Sequence, residues 1–315
     1  MPELSLGSQR WTVAAGSNLL DALHAAGCPV SSSCRAGSCQ ACLVRCVRGE
    51  PEDARPDALF LAQRERGWRL ACQCRVTGDL EVALFDPAAD GLAAEVVGLD
   101  WLDGAVLRLR LVPERPVRYR AGQHALLWTS GGLARSYSLA SLPGEDAWLE
   151  FHLDCRHRGA FCNIARTWHL GDSLRLGPLH AGALRYEAEW QTQTLLLLAA
   201  GTGLAPLWGV LREALRQEHA GPIRLIHCVD GPSYLQASLL ALATRHDNLS
   251  VELTDVEGLS GRLEGLAATA RRQIALVCGG DRFVQSAARR LYLAGVPRGQ
   301  LLSDTFLSRS LAADR

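Results

Sequence analysis

Five of the eleven cysteines lie in two tight groups near the start of the chain: Cys34, Cys39 and Cys42, then Cys72 and Cys74. Outside oxidising compartments, spaced cysteines serve more often as metal ligands or redox groups than as disulfides. The first group reads Cys34-Arg-Ala-Gly-Ser-Cys39-Gln-Ala-Cys42, a C-x4-C-x2-C run, and Cys72 follows at a distance. That spacing suits four thiolates converging on two irons bridged by sulfide. The loop must curl tightly, with its backbone N–H groups aimed at the sulfurs. Gly37 and the small residues Ala36, Ser38 and Ala41 permit the close approach. A zinc ribbon would show two C-x2-C pairs; here the second pair is Cys72-Gln-Cys74, and Cys34 would be left over. The spacing favours Cys72 over Cys74 as the fourth ligand. Cys28, Cys46, Cys155 and Cys228 read as buried, inert thiols.

Two glycine-bearing strand ends and one arginine run suggest nucleotide chemistry. The apolar run 195–200 precedes Gly201-Thr202-Gly203-Leu-Ala-Pro206 and an amphipathic stretch, which reads as strand, glycine loop and helix. The glycines let backbone approach a pyrophosphate at the helix N-terminus, and proline suits a first helical turn. A later strand ends in Val277-Cys278-Gly279-Gly280. Ahead of both in the chain lies Arg135-Ser-Tyr137-Ser138, where an arginine could pair a phosphate, Tyr137 could pack on a ring system and Ser138 could hydrogen-bond its polar edge. Alone, that run describes any strand with an exposed arginine and serine.

The elements that must position these groups change character along the chain. Residues 18–26 pattern as a short amphipathic helix, 43–47 as a strand and 48–50 as a turn. Residues 86–91 are small, polar and contain Pro and Gly, the composition of a linker. Residues 105–112 alternate with period two, as half-buried strands do. From about residue 193, apolar runs (TLLLLAA, IRLIHCV, LSVELTD, QIALVCGG) alternate with helical stretches over 206–218, 234–245 and 282–294. That alternation predicts a parallel sheet.

The net charge is zero, which recommends neither nucleic acid nor an anionic membrane as a partner. The sequence contains no lysine, so P-loop and Schiff-base chemistry are excluded. No apolar run approaches the roughly 20 residues that cross a bilayer. The opening MPELSLGSQR lacks the segments of a secretory signal, so a cytoplasmic location is the expectation.

Taken with their order, these motifs resemble known families. Residues 3–85 resemble the plant-type ferredoxins through GSNLLDALHAAGCPVSSSCRAGSCQACLVRCVRGE and the later LACQC. The middle segment resembles the flavin domain of the ferredoxin–NADP reductase superfamily, a six-stranded antiparallel barrel, through Gly122-Gln123, RSYSLAS, residues 159–162, Gly171-Asp172 and Gly177-Pro178. That resemblance implies flavin contacts from Arg135, Tyr137 and Ser138. It also implies a helix N-terminus at the pyrophosphate from Gly159, Ala160, Phe161 and Cys162. The family usually has serine where this chain has Cys162, and a thiol is the poorer donor. GTGLAP resembles the nicotinamide loop of the same superfamily: Gly201, Thr202, Gly203 and Pro206 would bind the dinucleotide. Cys278 and Gly279 would lie where nicotinamide meets flavin. Cys278 and Ser138 are thus the candidate catalytic residues. Asp281 stands where the family often has proline. Phe306 matches a place where relatives carry an aromatic near the flavin, and equally suits a hydrophobic anchor. NADP-using relatives tend to have Ser-Arg where this chain has Thr254-Asp255; an aspartate would repel a 2′-phosphate and accept from a 2′-hydroxyl, which favours NADH.

The whole chain resembles the NADH-dependent reductase components of bacterial ring-hydroxylating dioxygenases and related oxygenases. The resemblance implies a multi-domain α+β and α/β protein. It would comprise a β-grasp-like 2Fe-2S ferredoxin (1–86), an FAD-binding β-barrel (92–190) and a parallel-sheet NAD-binding domain (191–315). FAD rather than FMN follows from the resemblance alone. The implied cofactors (2Fe-2S, FAD, NADH) carry the chemistry, with no general acid or base required. The electron-accepting partner would be a terminal oxygenase or a ferredoxin. A deoxysugar dehydratase as acceptor, and an iron–sulfur redox sensor with little hydride transfer, are the rival readings.

Overall fold

A computed structural model describes residues 1–156, 159–180, 182–231, 233–264 and 270–306. In the N-terminal part, strands Gln9–Thr12, Glu3–Leu6, Leu80–Leu84, Leu43–Arg48 and Trp68–Leu70 form one sheet in that order. Glu3–Leu6 and Leu80–Leu84 run parallel within it, and the other pairs are antiparallel. The helix Leu19–Ala25 buries Leu19, Leu20 and Leu23, one face of a helical repeat. Asn18 caps it, its side chain accepting from the Asp21 N–H at 3.3 Å and donating to the Cys72 carbonyl at 2.9 Å. One residue therefore starts the helix and fixes the second cysteine group.

Residues 86–91 differ from a plain linker. Asp86 accepts from the Ala88 N–H at 2.9 Å and caps a single turn, Pro87–Asp90. The proline at the first position is preorganised for that turn, a local signal that composition alone obscured.

The middle part is one antiparallel sheet in the order Ala134–Ser138, His124–Trp128, Ser173–His180, Leu92–Leu102, Val106–Pro113, Leu149–Asp154. Its two ends meet: Leu139 bridges Phe151, and the Ala140 N–H donates to the Glu150 carbonyl at 2.8 Å. The sheet closes into a barrel and leaves no free edge. Alternate residues Leu107, Leu109, Leu111, Leu149, Phe151 and Leu153 fill it.

The C-terminal part has five parallel strands in the order Leu249–Thr254, Ile223–Cys228, Thr194–Ala200, Gln273–Gly280, Leu301–Phe306. Helices Leu204–Arg216, Gln236–Arg245 and Asp281–Leu293 cover it. Chain order reverses between Thr194–Ala200 and Gln273–Gly280. Ligands of open α/β sheets bind beyond the carboxyl ends of such a pair.

The parts pack on one another. Leu126, Trp128 and Ala134 of the barrel belong to the N-terminal core, and Phe85 stacks on Trp128 at 5.2 Å. Arg212 of the helix Leu204–Arg216 pairs with Asp146 at 2.7 Å and Glu145 at 3.1 Å on the barrel. A buried polar chain links barrel and parallel sheet: Arg110 to Glu150 (2.8 Å), Glu150 to His152 (3.0 Å), His152 to Tyr234 (3.1 Å). His152 Nε2 faces a carboxylate and so carries the hydrogen, which leaves Nδ1 to accept from the Tyr234 hydroxyl. Burial opposes ionisation of Glu150, but His152 and Arg110 outweigh it and hold its pKa at about 2. Tyr234→Phe would strip a buried acceptor of its only donor in this chain of bonds. The expected loss is about 1–3 kcal/mol, read as a fall in Tm, with His152→Phe in the Tyr234→Phe background costing less than additively.

Candidate functional site

The cluster loop forms as its spacing requires. Arg35 (φ 53°), Gly37 (φ 83°) and Gln40 (φ 54°) adopt left-handed backbone and curl the chain between the cysteines. The N–H groups of Ala36 and Cys39 both point at Cys34 Sγ from 3.3 Å, and the Cys34 N–H points at Cys39 Sγ from 3.4 Å. Gln73 reaches across to Cys72 Sγ at 3.2 Å and to the Arg35 carbonyl at 3.0 Å, tying the distant ligand segment to the loop. Arg35 in turn pairs with Asp21 on the capped helix.

The four thiols stand as two contacting pairs, Cys34 with Cys39 and Cys42 with Cys72. A hydrogen bond from Cys39 draws the Cys34 pKa down to about 4, and one from Cys42 draws Cys72 down to about 7. Their partners are pushed up by the same bonds and by burial. Thiolate character is what a metal requires. Among the described residues no three His, Cys, Asp or Glu side chains are grouped as a single ion would need. Two pairs served by N–H donors fit a two-iron cluster better than zinc. Cys74 sits elsewhere, fully buried in the strand Cys74–Val76 with Asp53 as its cross-strand partner.

On the barrel, Arg135 and Tyr137 share one face of the strand Ala134–Ser138, while Ser138 lies on the other. Tyr137 packs on Phe161 (5.2 Å), and Phe161 on Trp168 (5.6 Å), an aromatic wall beside the short helix Ala160–Ala165. Gly159 is the N-cap, with extended backbone and no side chain over the helix start, so the first N–H groups are uncovered on that side. Cys162 Sγ lies 3.3 Å from the Asp154 carbonyl, and the Cys155 thiol, hydrogen-bonded to it, pulls its pKa down to about 7. The thiol is thus engaged within the barrel.

At the crevice of the parallel sheet, Gly201–Gly203 makes a tight turn and the helix Leu204–Arg216 begins directly after it, two residues before Pro206. A Cβ on Gly203 would lie 2.2 Å from the Cys278 carbonyl oxygen. The two glycine-bearing strand ends are therefore in backbone contact, and Cys278 is fully buried beneath them. His227 Nε2 donates to the Gly201 carbonyl at 2.9 Å, and its Nδ1 accepts from Ser233 at 2.8 Å. Burial lowers the His227 pKa to about 4, so it stays neutral with this pattern. Thr202 is buried in the turn. Asp281 does not disturb the site: it is the first residue of Asp281–Leu293, where a carboxylate suits the dipole, and it accepts from Gln285 at 2.8 Å. Phe306 pairs with Gly280 across the last two strands, beside the crevice, and is half-buried against the sheet's core.

Asp255 follows directly on the strand Leu249–Thr254, and its Oδ1 accepts from the Gly258 N–H at 2.6 Å. Nearby, Arg262 pairs with Glu252 at 3.5 Å.

Residues 5–77 match the family described as 2Fe-2S iron-sulfur cluster binding domain, and residues 197–289 match the oxidoreductase NAD-binding domain. The ferredoxin–NAD(+) reductase component of an alkene monooxygenase system from Xanthobacter autotrophicus is 30% identical, over 94% of this chain and 93% of that one. The chain belongs to the ferredoxin–NAD(P)+ reductase components of oxygenase systems. The reductase component of a naphthalene 1,2-dioxygenase/salicylate 5-hydroxylase system from Ralstonia is 29% identical to this reductase, over 92% of this chain and 94% of that one. Among solved structures, a cytochrome P450 reductase from Amycolatopsis shares the fold of the reductase: TM-score 0.65 and 24% identity, over 98% of this chain and 100% of that one. No helix of the described residues is long and apolar enough to cross a membrane.

Sequence reasoning named the cysteines, the arginine run and both glycine ends. It missed Gln73, His124, His227 and the Glu150–His152–Tyr234 chain. A histidine in the otherwise apolar strand His124–Trp128 was the one available signal; the others depend on contacts between distant segments.

Proposed function

We propose that this reductase takes hydride from NADH onto FAD and delivers single electrons through a 2Fe-2S cluster to an oxygenase component or its ferredoxin. The observation that carries the reading is a cleft of about 330 Å³ bordered by all three parts of the chain. Gly37 and Ser38 come from the cluster loop, His124 and Gly182 from the barrel, and Ser303 and Asp304 from the last strand. One module per cofactor, meeting at one junction, is the arrangement that electron relay requires.

The natural divisions are a ferredoxin domain over 1–86, a flavin barrel over 92–190 and a nicotinamide domain over 191–315. Cys34, Cys39, Cys42 and Cys72 would hold the cluster, and the N–H groups around them stabilise its charge. Arg135 would pair the flavin pyrophosphate, the uncovered N–H groups after Gly159 would share it, and Tyr137 and Ser138 would hold the ring. Bound flavin supplies the step from a two-electron donor to one-electron acceptors. Gly201, Thr202 and Gly203 would admit the dinucleotide pyrophosphate, with Cys278 and Gly279 forming the floor under the nicotinamide. The relatives' oxygenase partners favour such an acceptor over a dehydratase. The placement of Cys162 and Asp281 removes the support for a sensor that has lost hydride transfer. Eleven cysteines, all free, suit a reducing cytoplasm.

Anaerobic addition of NADH should bleach both flavin and iron–sulfur bands, and NADPH should do so far more slowly. Bands indifferent to NADH would overturn the proposal. Asp255 keeps one oxygen available after its turn bond and supplies the discrimination. Asp255→Ser should narrow the NADH/NADPH ratio of kcat/KM about tenfold, roughly 1.4 kcal/mol.

A further inference from the structure

We infer that His124 is the positioning residue that holds the cluster loop against the flavin strand, by donating from Nε2 to the Ser38 carbonyl. The inference rests on the flavin and cluster assignments proposed above. The strand His124–Trp128 is otherwise Ala-Leu-Leu-Trp, and His124 is 7% exposed at its start. Its Nε2 lies 3.2 Å from the carbonyl of Ser38, the residue before Cys39. A carbonyl only accepts, so this nitrogen carries the hydrogen and Nδ1 is bare.

The cross-strand neighbours explain why a ring at this position reports on both sites. His124 pairs directly with Ser138 on one side and with His180 on the other. Directly opposed residues share a face of the sheet. The side chain of Ser138, assigned to the flavin's polar edge, therefore stands beside a ring whose far end touches the cluster loop. The His180 ring backs it at 5.4 Å and is itself buried, so the imidazole has little room to turn. A Cβ on Gly182 would lie 3.7 Å from both His124 Nδ1 and Asp304 Oδ2, which places the last strand at the same spot.

Beside this bond the contact carries apolar packing: Leu126, Trp128 and Ala134 pack into the ferredoxin core, and Phe85 stacks on Trp128. Hydrophobic packing is non-directional and tolerates small slides. A buried hydrogen bond from a neutral ring fixes the register. Burial lowers the His124 pKa and keeps the ring in that neutral form. The same bond orients the backbone between Cys34 and Cys39, so it acts on the cluster from outside the ligand set.

The test compares His124→Phe with His124→Gln, whose amide nitrogen can restore the donor. NADH-driven reduction of ferricyanide, which accepts from flavin, is measured beside that of cytochrome c, which accepts from the cluster. The EPR spectrum of the reduced cluster is recorded for each variant. In His124→Phe the cytochrome c/ferricyanide ratio should fall about tenfold and the EPR signal should shift, with most of both recovered in His124→Gln. If the Phe variant does not accumulate, His124→Leu carries the same comparison. An unchanged ratio and spectrum, or an equal loss in the Gln variant, would overturn the inference while leaving the proposed function intact. Wild-type protein that cannot reduce ferricyanide with NADH would overturn both.

Discussion

Cys72→Ser should abolish the iron–sulfur absorbance and cytochrome c reduction while NADH-driven ferricyanide reduction persists; Cys74→Ala should keep all three. The two residues are separated by one glutamine, yet the fold gives them opposite surroundings. Cys72 lies against Cys42, receives a hydrogen bond from Gln73 at 3.2 Å, and has its carbonyl held by Asn18 at 2.9 Å. Cys74 has turned into the apolar interior, completely buried, where desolvation pushes its thiol well above the ordinary range. A serine oxygen is a far poorer soft ligand than thiolate, so the change at Cys72 would remove one of the four proposed ligands. Cys74→Ala removes only a sulfur's worth of packing, about 1–2 kcal/mol, which should lower Tm without changing iron content. Iron and sulfide analysis of the purified variants decides the matter. Cluster lost from Cys74→Ala and retained by Cys72→Ser would reverse the ligand assignment.

The contrast also shows which kinds of information the sequence carried. C-x4-C-x2-C is a local pattern, and everything it needs, from Gly37 to the left-handed Arg35 and Gln40, lies within the loop that bears it. Likewise the apolar runs marked four of the five parallel strands, because strands buried in a parallel sheet have little choice of residue; the edge strand Leu301–Phe306, half-buried throughout, carries no such run. The capped turn at Pro87–Asp90 was obscured, since the same Pro, Asp and Gly serve linkers and caps alike. The roles of His124, His152 and Tyr234 could not be read. Each takes its meaning from a partner in another part of the chain: Ser38, Tyr234 and His152 respectively. A polar residue inside an apolar strand announces that it must have a partner, but not where that partner is.

Gly203→Ala should lower kcat/KM for NADH by about a hundredfold, the scale of a misplacement near 1 Å at a reacting centre. Gly203 has φ −57°, which any residue adopts, so its backbone conformation is not the reason for glycine. Space is the reason. The added Cβ would sit 2.2 Å from the Cys278 carbonyl oxygen and 2.8 Å from the Gly279 nitrogen. Neither can yield cheaply, because Gln273–Gly280 is paired on both sides, with Thr194–Ala200 and Leu301–Phe306. The turn or the strand end must move, and with it the floor on which the nicotinamide would rest. Gly201 provides the control. Its φ is +53°, so alanine there costs about 1–2 kcal/mol of left-handed strain. Among the described residues its Cβ meets only the end of the Arg156 side chain, at 3.0 Å, so the crevice keeps its shape. Stopped-flow bleaching of the flavin by NADH should therefore be slowed far more by Gly203→Ala than by Gly201→Ala, although the second carries the backbone strain. Both should keep flavin and iron–sulfur spectra, because the barrel and the cluster loop are untouched. Equal effects from the two would mean that loop strain, rather than contact between the strand ends, governs access of the nicotinamide. A Gly203→Ala protein with wild-type kcat/KM would remove the crevice between Gly203 and Cys278 as the site of hydride transfer.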